Sequence, residues 1–235
     1  MENNQVKLIP RGIREADFPT ARFLSNAEQK TYEESIKQFL GNAYDSLNIP
    51  QKGSKLWKVL FLNQIGIRTA TLPELDLAIQ NGMNLKGFYE DGGEIVLRSR
   101  GDSYEINNSL AKTLADKLKL TSFEYPFIVK GLGIIQSDDK KNSYGLEFLT
   151  DNAEVIEAKD FHHKNNQRRF STIHPDYTIE WDDKGERTIY SSRNDGLSSL
   201  GLDEDLGLFS DYGHLAVSYD YGRVVVVSGE APQKI

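Results

Sequence analysis

The 235-residue sequence contains no cysteine, which excludes disulfide bonds, thiolate zinc sites and cysteine nucleophiles. Basic residues are also outnumbered, since 28 Lys and Arg against 35 Asp and Glu give a net charge of −7. A protein that neutralises nucleic-acid phosphates needs clustered cations, so we expect no nucleic-acid partner. What remains is an ordinary globular composition, with 38% hydrophobic and 27% charged residues.

Long apolar runs are missing as well. No stretch approaches the ~18 consecutive apolar residues that a membrane-spanning helix needs, so we expect no membrane insertion. Residues 1–5 lack the basic region and the apolar run of a secretory signal. We therefore expect a cytoplasmic or virion-associated protein, unless it is exported by another route.

The hydrophobic period changes near the middle of the chain. Helical spacing follows a capping box at Ser25 and Glu28 and runs to about residue 48; another helix starts at Thr71 and a third near Ser109, whereas residues 56–62 are ambiguous. From Pro126 onward the period is two, as in strands. The pattern predicts an α+β fold, with helices in the N-terminal half and antiparallel β-hairpins in the C-terminal half.

Three hairpins are predicted in that second half. The first joins two apolar runs within residues 146–156, and the second joins 177–181 to 187–190 through a polar turn. The third joins 215–219 to 223–227. Because four successive valines need cover on both faces, we expect residues 224–227 to form a buried central strand.

One enzyme-like motif is the serine–lysine spacing of Ser109 and Lys112, as in penicillin-binding enzymes. The Ser-Asp-Asn and Lys-Thr-Gly motifs that accompany it there are absent from the sequence. Asn107, Asn108 and Ser109 are residue types that favour helix caps, so we expect Ser109 at a helix start.

The other candidate chemistry is a histidine group in the only basic stretch of the chain. His162 and His163 are adjacent, so on a strand they would point to opposite faces and could not share a metal with His174. Gly131 and Gly133 lack the third glycine of a dinucleotide-binding loop. We expect no metal and no cofactor. A hydrolase that uses either group, or a structural or assembly protein of a virus or cell, stays as the alternative.

Residues 190–227 contain an apolar frame. Leu200, Leu202, Leu206 and Leu208 share parity and would face one side of an extended chain. Between the frame residues stand small polar and aromatic residues, which we call the filling positions. They are Asn194, Asp195, Gly201, Asp203, Asp205, Gly207, Phe209, Ser210, Asp211, Tyr212, Gly213, His214, Val217, Tyr219, Asp220 and Tyr221.

The composition of this segment is selective. Residues 190–222 contain no Lys, Gln, Met or Trp and a single Glu, Glu204. Tyrosine combined with small polar residues is the composition of antibody paratopes, where it supplies contact area at low entropic cost. A rigid frame that carries such residues is typical of a binding surface.

On these residues the segment resembles the C-terminal variable region of variable proteins from diversity-generating retroelements of phages, bacteria and archaea. In that family, mutagenesis of Asn codons reaches the residue types at the filling positions but not Lys, Gln, Glu, Met or Trp. The run from Leu215 to Val227 is also similar to the closing strands of such regions.

The resemblance implies a C-type lectin-like, non-enzymatic ligand-binding domain over residues 51–235, after a helical extension over 1–50, with a variable region at about 190–227. Its partner would be a protein or cell-surface ligand. The implied amphipathic anchors are Phe209, Tyr212, His214, Tyr219 and Tyr221, and the implied acceptors are Asp203, Asp205, Asp211 and Asp220. We expect the filling positions to be exposed on one surface, and the leucine frame with Leu215 to be buried.

Overall fold

The computed structural model describes residues 5–12, 18–41, 55–138, 144–216 and 222–228. The helices in these ranges are α1 (Asn26–Leu40), α2 (Leu56–Gln64), α3 (Leu72–Gln80) and α4 (Glu105–Lys117). The strands are β1 (Val6–Lys7), β2 (Thr20–Phe23), β3 (Glu90–Leu97), β4 (Phe127–Lys130), β5 (Gly133–Gln136), β6 (Leu146–Leu149), β7 (Glu154–Glu157), β8 (Arg169–Ile173), β9 (Ile179–Trp181), β10 (Arg187–Tyr190), β11 (Leu197–Leu202), β12 (Leu208–Phe209) and β13 (Val225–Ser228). The α+β class is therefore confirmed.

Local capping signals set the starts of α1 and α3. At α1 the Ser25 hydroxyl and the Glu28 carboxylate satisfy each other's backbone N–H groups, and Thr71 and Glu74 do the same at α3. The predicted capping box at Ser25 and the predicted helix start at Thr71 are confirmed. The predicted continuation of α1 beyond residue 41 falls on 42–50, which lie outside the described residues.

The ambiguous segment 56–62 is helical. Every residue from Leu56 to Leu62 of α2 is buried, and a helix that is apolar all round has to be covered on all sides. Strands and helices of the same hydrophobicity cannot be told apart over so short a run, which is why the sequence left the choice open.

Helix α4 begins at Glu105, so Ser109 lies one turn inside the helix and the expectation of a capping Ser109 is wrong. The neighbouring amides also make other contacts. Asn107 donates to the backbone carbonyl of Gly213, and Asn108 accepts from the N–H of Asp102. Contacts with distant loops therefore replace the predicted caps.

An eight-stranded sheet dominates the fold, in the order β7-β4-β3-β11-β12-β10-β8-β9. Its pairs are antiparallel except for β10 with β12, which run parallel. A three-stranded sheet has the order β1-β2-β13, and β5 pairs with β6. Two short 3₁₀ turns, Lys159–Phe161 and His163–Asn165, precede β8.

The first two predicted hairpins are wrong. Strands β6 and β7 belong to different sheets, because β6 pairs with β5 and β7 with β4. Strand β8 lies between β9 and β10 and pairs with both. The third predicted hairpin includes residues 217–221, which lie outside the described residues. Strand β13 pairs with β2.

The four valines are buried, as predicted, with exposures of 2–6%. Their strand is not central, however, because β13 is the last strand of its sheet. Its free edge is covered by the segment before α3, where Thr69 forms an isolated bridge with Val226. The burial that the sequence requires thus comes from packing on both faces.

Two hydrophobic clusters lie on opposite faces of the sheets. Val224 and Val226 belong to the first cluster, and Val225 and Val227 to the second, as strand alternation requires. Tyr32, Ile36 and Leu40 of α1 also lie in the first cluster, and Ala21 of β2 in the second. The described residues of the predicted extension 1–50 therefore share both cores with the rest of the chain.

Candidate functional site

The apolar frame of the C-terminal segment is buried. Leu200, Leu202, Leu208 and Leu215 are at most 1% exposed, as expected. Leu206 differs, because it is half-buried and has a φ of 66° in the turn between β11 and β12. The frame thus consists of three strand leucines and Leu215, with Leu206 at its edge.

The described filling positions divide into three groups by their exposure to solvent. Asn194, Asp205 and His214 are exposed, whereas Asp195, Asp203, Asp211, Tyr212 and Gly213 are half-buried. Gly201, Gly207, Phe209 and Ser210 are buried, so the expectation that every filling position is exposed is wrong. Val217, Tyr219, Asp220 and Tyr221 lie outside the described residues.

The buried filling positions are enclosed because β11 and β12 are covered on both faces. A Cβ at Gly201 would lie 2.3 Å from the carbonyl oxygen of Glu90, which pairs across the sheet. Phe209 packs against Tyr89 and Tyr212 at ring distances of 6.4 and 5.4 Å. The alternation of residues along the sequence does not predict this burial, because it assumes that one face of the strand is open to solvent.

Three aspartates among the filling positions act electrostatically on one exposed tyrosine. Tyr190 is 39% exposed. Its pKa is raised by desolvation and by the negative charges of Asp203, Asp205 and Asp211. We call these four residues the acidic surface.

A chain of contacts extends from the acidic surface to the start of α4. The Ser192 hydroxyl donates to Asp211 at 2.9 Å, and Ser103 donates to Asp195 through its backbone and its hydroxyl. The ring of His214 lies 5.6 Å from those of Tyr104 and Tyr144. Asp195 and His214 therefore both contact the residues just before α4, Ser103 and Tyr104.

The predicted enzyme groups are not assembled into a site. Ser109 is half-buried and Lys112 is exposed on α4, and neither lines a described cavity. The rings of His162 and His163 lie 4.1 Å apart in a tilted arrangement, while His174 directly follows β8 and lies beside Glu180. Among the described residues, no group of three or more His, Asp or Glu is placed to hold a metal ion.

A cleft that the sequence did not predict has a volume of about 450 Å³. It opens where β3 and β4 stop pairing, beyond the Ile95–Val129 pair, and the segment before α3 forms its other wall. Among its lining residues are Asn63, Gln64, Arg68, Thr71, Glu94, Lys130 and Glu154. The only sequence signal for the cleft is weak: a Gly-Gly-Glu run between the acidic start and the apolar end of β3.

Glu94 is the buried acid of this cleft and is fully enclosed. One carboxyl oxygen accepts from the N–H of Leu72 at 2.9 Å and from the Tyr177 hydroxyl at 2.6 Å, whereas the other has no partner. Burial raises the pKa of the Glu94 carboxyl to about 7, against the opposing effect of the Tyr177 hydrogen bond. The carboxyl therefore ties the start of α3 to the loop before β9.

The cations of the cleft already have partners. Arg68 pairs with Glu74, and Lys130 pairs with Glu154 at 2.9 Å. With its charges compensated and several amide and hydroxyl groups on its walls, the cleft suits a neutral polar molecule better than an anion.

Comparison of the chain with models of known families, with characterised proteins and with solved structures gives no match. In the part of the chain that the structure describes, no helix combines the length and the apolar character that crossing a membrane requires. Evidence on the function of this chain therefore comes from the geometry of the residues described above.

Proposed function

We propose that the chain is a non-enzymatic binding protein whose partner is a protein or cell-surface ligand, and that the acidic surface with its neighbours is the contact site. The proposal includes the finer fold assignment, a C-type lectin-like domain with a retroelement-diversified C-terminal region. The supporting observation is that exposed filling positions and buried frame residues are separate sets. Exposed Asn194, Asp205 and His214 alternate along the chain with frame leucines that are fully buried.

The charge of this surface indicates what kind of partner fits. Asp203, Asp205 and Asp211 all act electrostatically on Tyr190, so a basic group on the partner would gain charge-assisted hydrogen bonds on the same surface as an aromatic ring. The half-exposed tyrosine supplies contact area with little loss of rotamer entropy. Association should consequently weaken as the salt concentration rises.

The origin of the diversity is tested in the DNA downstream of the gene. The proposal expects a near-copy of the segment that encodes residues 190–227, with Asn codons at the filling positions. An unrelated downstream sequence, with no such copy near the gene, would remove the retroelement part of the proposal.

The binding role is tested with a library of displayed basic peptides selected on the wild-type protein. Selected peptides should lose binding to the variant Asn194→Ser, Asp205→Ser, His214→Ser. The matched control Asn152→Ser, Asp183→Ser, His174→Ser changes the same residue types at other exposed positions and should bind normally. Both triple variants should melt like the wild type. Equal binding by the two variants, or a library without specific binders, would contradict the proposal.

A further inference from the structure

Arg98, directly after β3, is a buried cation without a counter-ion. It is 5% exposed, and its guanidinium donates to the Ser198 hydroxyl at 2.7 Å and to the carbonyl of Ser210 at 2.6 Å. These partners are neutral. The other deeply placed arginines differ, since Arg193 pairs with Asp102 and Arg187 with Asp76. No ion pair of Arg98 is found among the described residues.

An uncompensated buried charge is unfavourable, because the charge has lost its water and gained no opposite charge. The Nε atom of Arg98 is buried and lacks any hydrogen-bond partner. Burial lowers the pKa of Arg98 to about 10, which leaves the guanidinium charged at neutral pH. Asp211, Asp102 and Asp195 act on this charge electrostatically, but none of them forms an ion pair with it among the described residues.

Arg98 lines a small pocket together with a second arginine and two histidines. Its volume is about 60 Å³, and His162, His163, Arg193, Tyr125 and Glu124 are among the lining residues. The Nδ1 atom of His162 accepts from the N–H of Lys164 at 3.2 Å. The neutral ring then carries its proton on Nε2, so His162 has a donor even before it is protonated.

We propose that this pocket binds one oxyanion group, a carboxylate or a phosphoryl group, with Arg98 and the two histidines as its cationic side. The pocket is large enough for such a group and too small for a whole sugar or nucleotide. The larger cleft beside Glu94 is a weaker candidate for an anion, because both of its cations are already paired.

Glu124 is the opposing charge in this pocket. It is exposed, it lines the same space, and among the described residues it forms no ion pair. Its carboxylate repels an incoming anion, so its removal should tighten binding. The pocket also borders Asn194, yet it can be tested with simple salts whether or not a protein partner is found.

The test is a titration of the full chain with inorganic phosphate and with acetate, at constant ionic strength in sodium chloride, followed by the ring signals of the four histidines. Saturable shifts should occur at His162 and His163 but not at His174. Tighter phosphate than acetate binding would identify a phosphoryl group as the ligand, and the reverse a carboxylate. Shifts no larger than those with chloride would overturn the proposal.

Affinity should increase as the pH falls from about 8 to about 6, because each protonated imidazole adds a charge to the anion-bound state. The groups facing His162 are His163, Lys164, Arg98 and the Tyr125 ring, which itself lies under Lys159. Desolvation lowers the pKa of His162, and His163, Lys164 and Arg98 act in the same direction.

The variant His162→Gln with His163→Gln should bind phosphate about tenfold more weakly at the lower pH and should lose most of the pH dependence. His174→Gln is the matched control and should bind like the wild type, whereas Glu124→Gln should bind more tightly. The variant Arg98→Lys, where it folds, is an additional test of the pocket, but the double histidine variant tests the proposal without it. Unchanged affinity in the double variant would overturn the proposal.

Discussion

Two aspartates of the turn between β11 and β12 look alike in the sequence and differ in the structure. Asp203 accepts the N–H groups of Asp205 and Gly207 at 2.9 and 2.7 Å, while Asp205 is exposed. We expect Asp203→Ala to lower the free energy of unfolding by about 1–2 kcal/mol, and Asp205→Ala by less than about 0.5 kcal/mol. Urea denaturation of both variants measures the difference. Equal losses would show that the turn does not depend on Asp203.

Glu94 gives a second prediction at the scale of one residue. Its pKa is about 7 in the folded protein, whereas an unfolded Glu titrates near about 4.3. Between these values the folded chain holds a proton that the unfolded chain releases, so stability falls as the pH rises through this window. At about 1.4 kcal/mol per pH unit, the loss is about 4 kcal/mol.

The variant Glu94→Gln keeps an oxygen that can accept from Leu72 and Tyr177 but cannot ionise. Its urea midpoint should therefore fall less than that of the wild type between about pH 5 and about pH 8. Other titrating groups, including buried Glu90, act equally in both proteins and cancel. Glu186→Gln, at an exposed position, should follow the wild type. Parallel pH profiles for Glu94→Gln and the wild type would refute the assignment.

At the scale of elements, β13 connects the two hydrophobic clusters. Val225 and Val226 are 3% and 2% exposed and point into different clusters. Val225→Ala and Val226→Ala should each lower the free energy of unfolding by about 1–3 kcal/mol, through lost burial and an unfilled cavity. Unchanged denaturation midpoints would mean that one face of the strand is open.

The elements also show what the sequence could predict. The capping box at Ser25 and the helix start at Thr71 were predicted because the residues that determine them lie within one helical turn. Strand partners were not found, since β8 separates β9 from β10 and β2 pairs with β13 across about two hundred residues of chain. The polar residues between neighbouring apolar runs suggested hairpins. The strands instead pair with partners that bury their side chains and lie elsewhere in the sequence.

Contacts between residues that are distant in the sequence also limit what can be predicted about the candidate sites. The frame leucines were predicted from their spacing, but the burial of Gly201 and Phe209 depends on Glu90 and Tyr89, which come from another strand and its flank. Arg98 and Glu94 were missed because a single charged residue in a strand becomes informative only when its partners are known. The lack of a counter-ion at Arg98 is a property of the fold.

At the scale of the whole molecule, the boundary predicted at residue 50 can be tested directly. Strand β2 pairs with β13 over four residues, and Tyr32, Ile36 and Leu40 of α1 are at most 2% exposed. Exposing three large apolar side chains costs about 1.5–3 kcal/mol each. That total is comparable with the whole stability of a typical domain, about 5–15 kcal/mol.

A variant that begins at Gln51 should consequently show no cooperative thermal transition by circular dichroism, because β13 would lose its pairing partner and the first cluster would lose one wall. Adding the peptide 1–50 in excess should restore the transition, since pairing and burial need proximity and no covalent link. Cooperative melting of residues 51–235 alone, near the midpoint of the full chain, would instead establish the N-terminal segment as a separate extension.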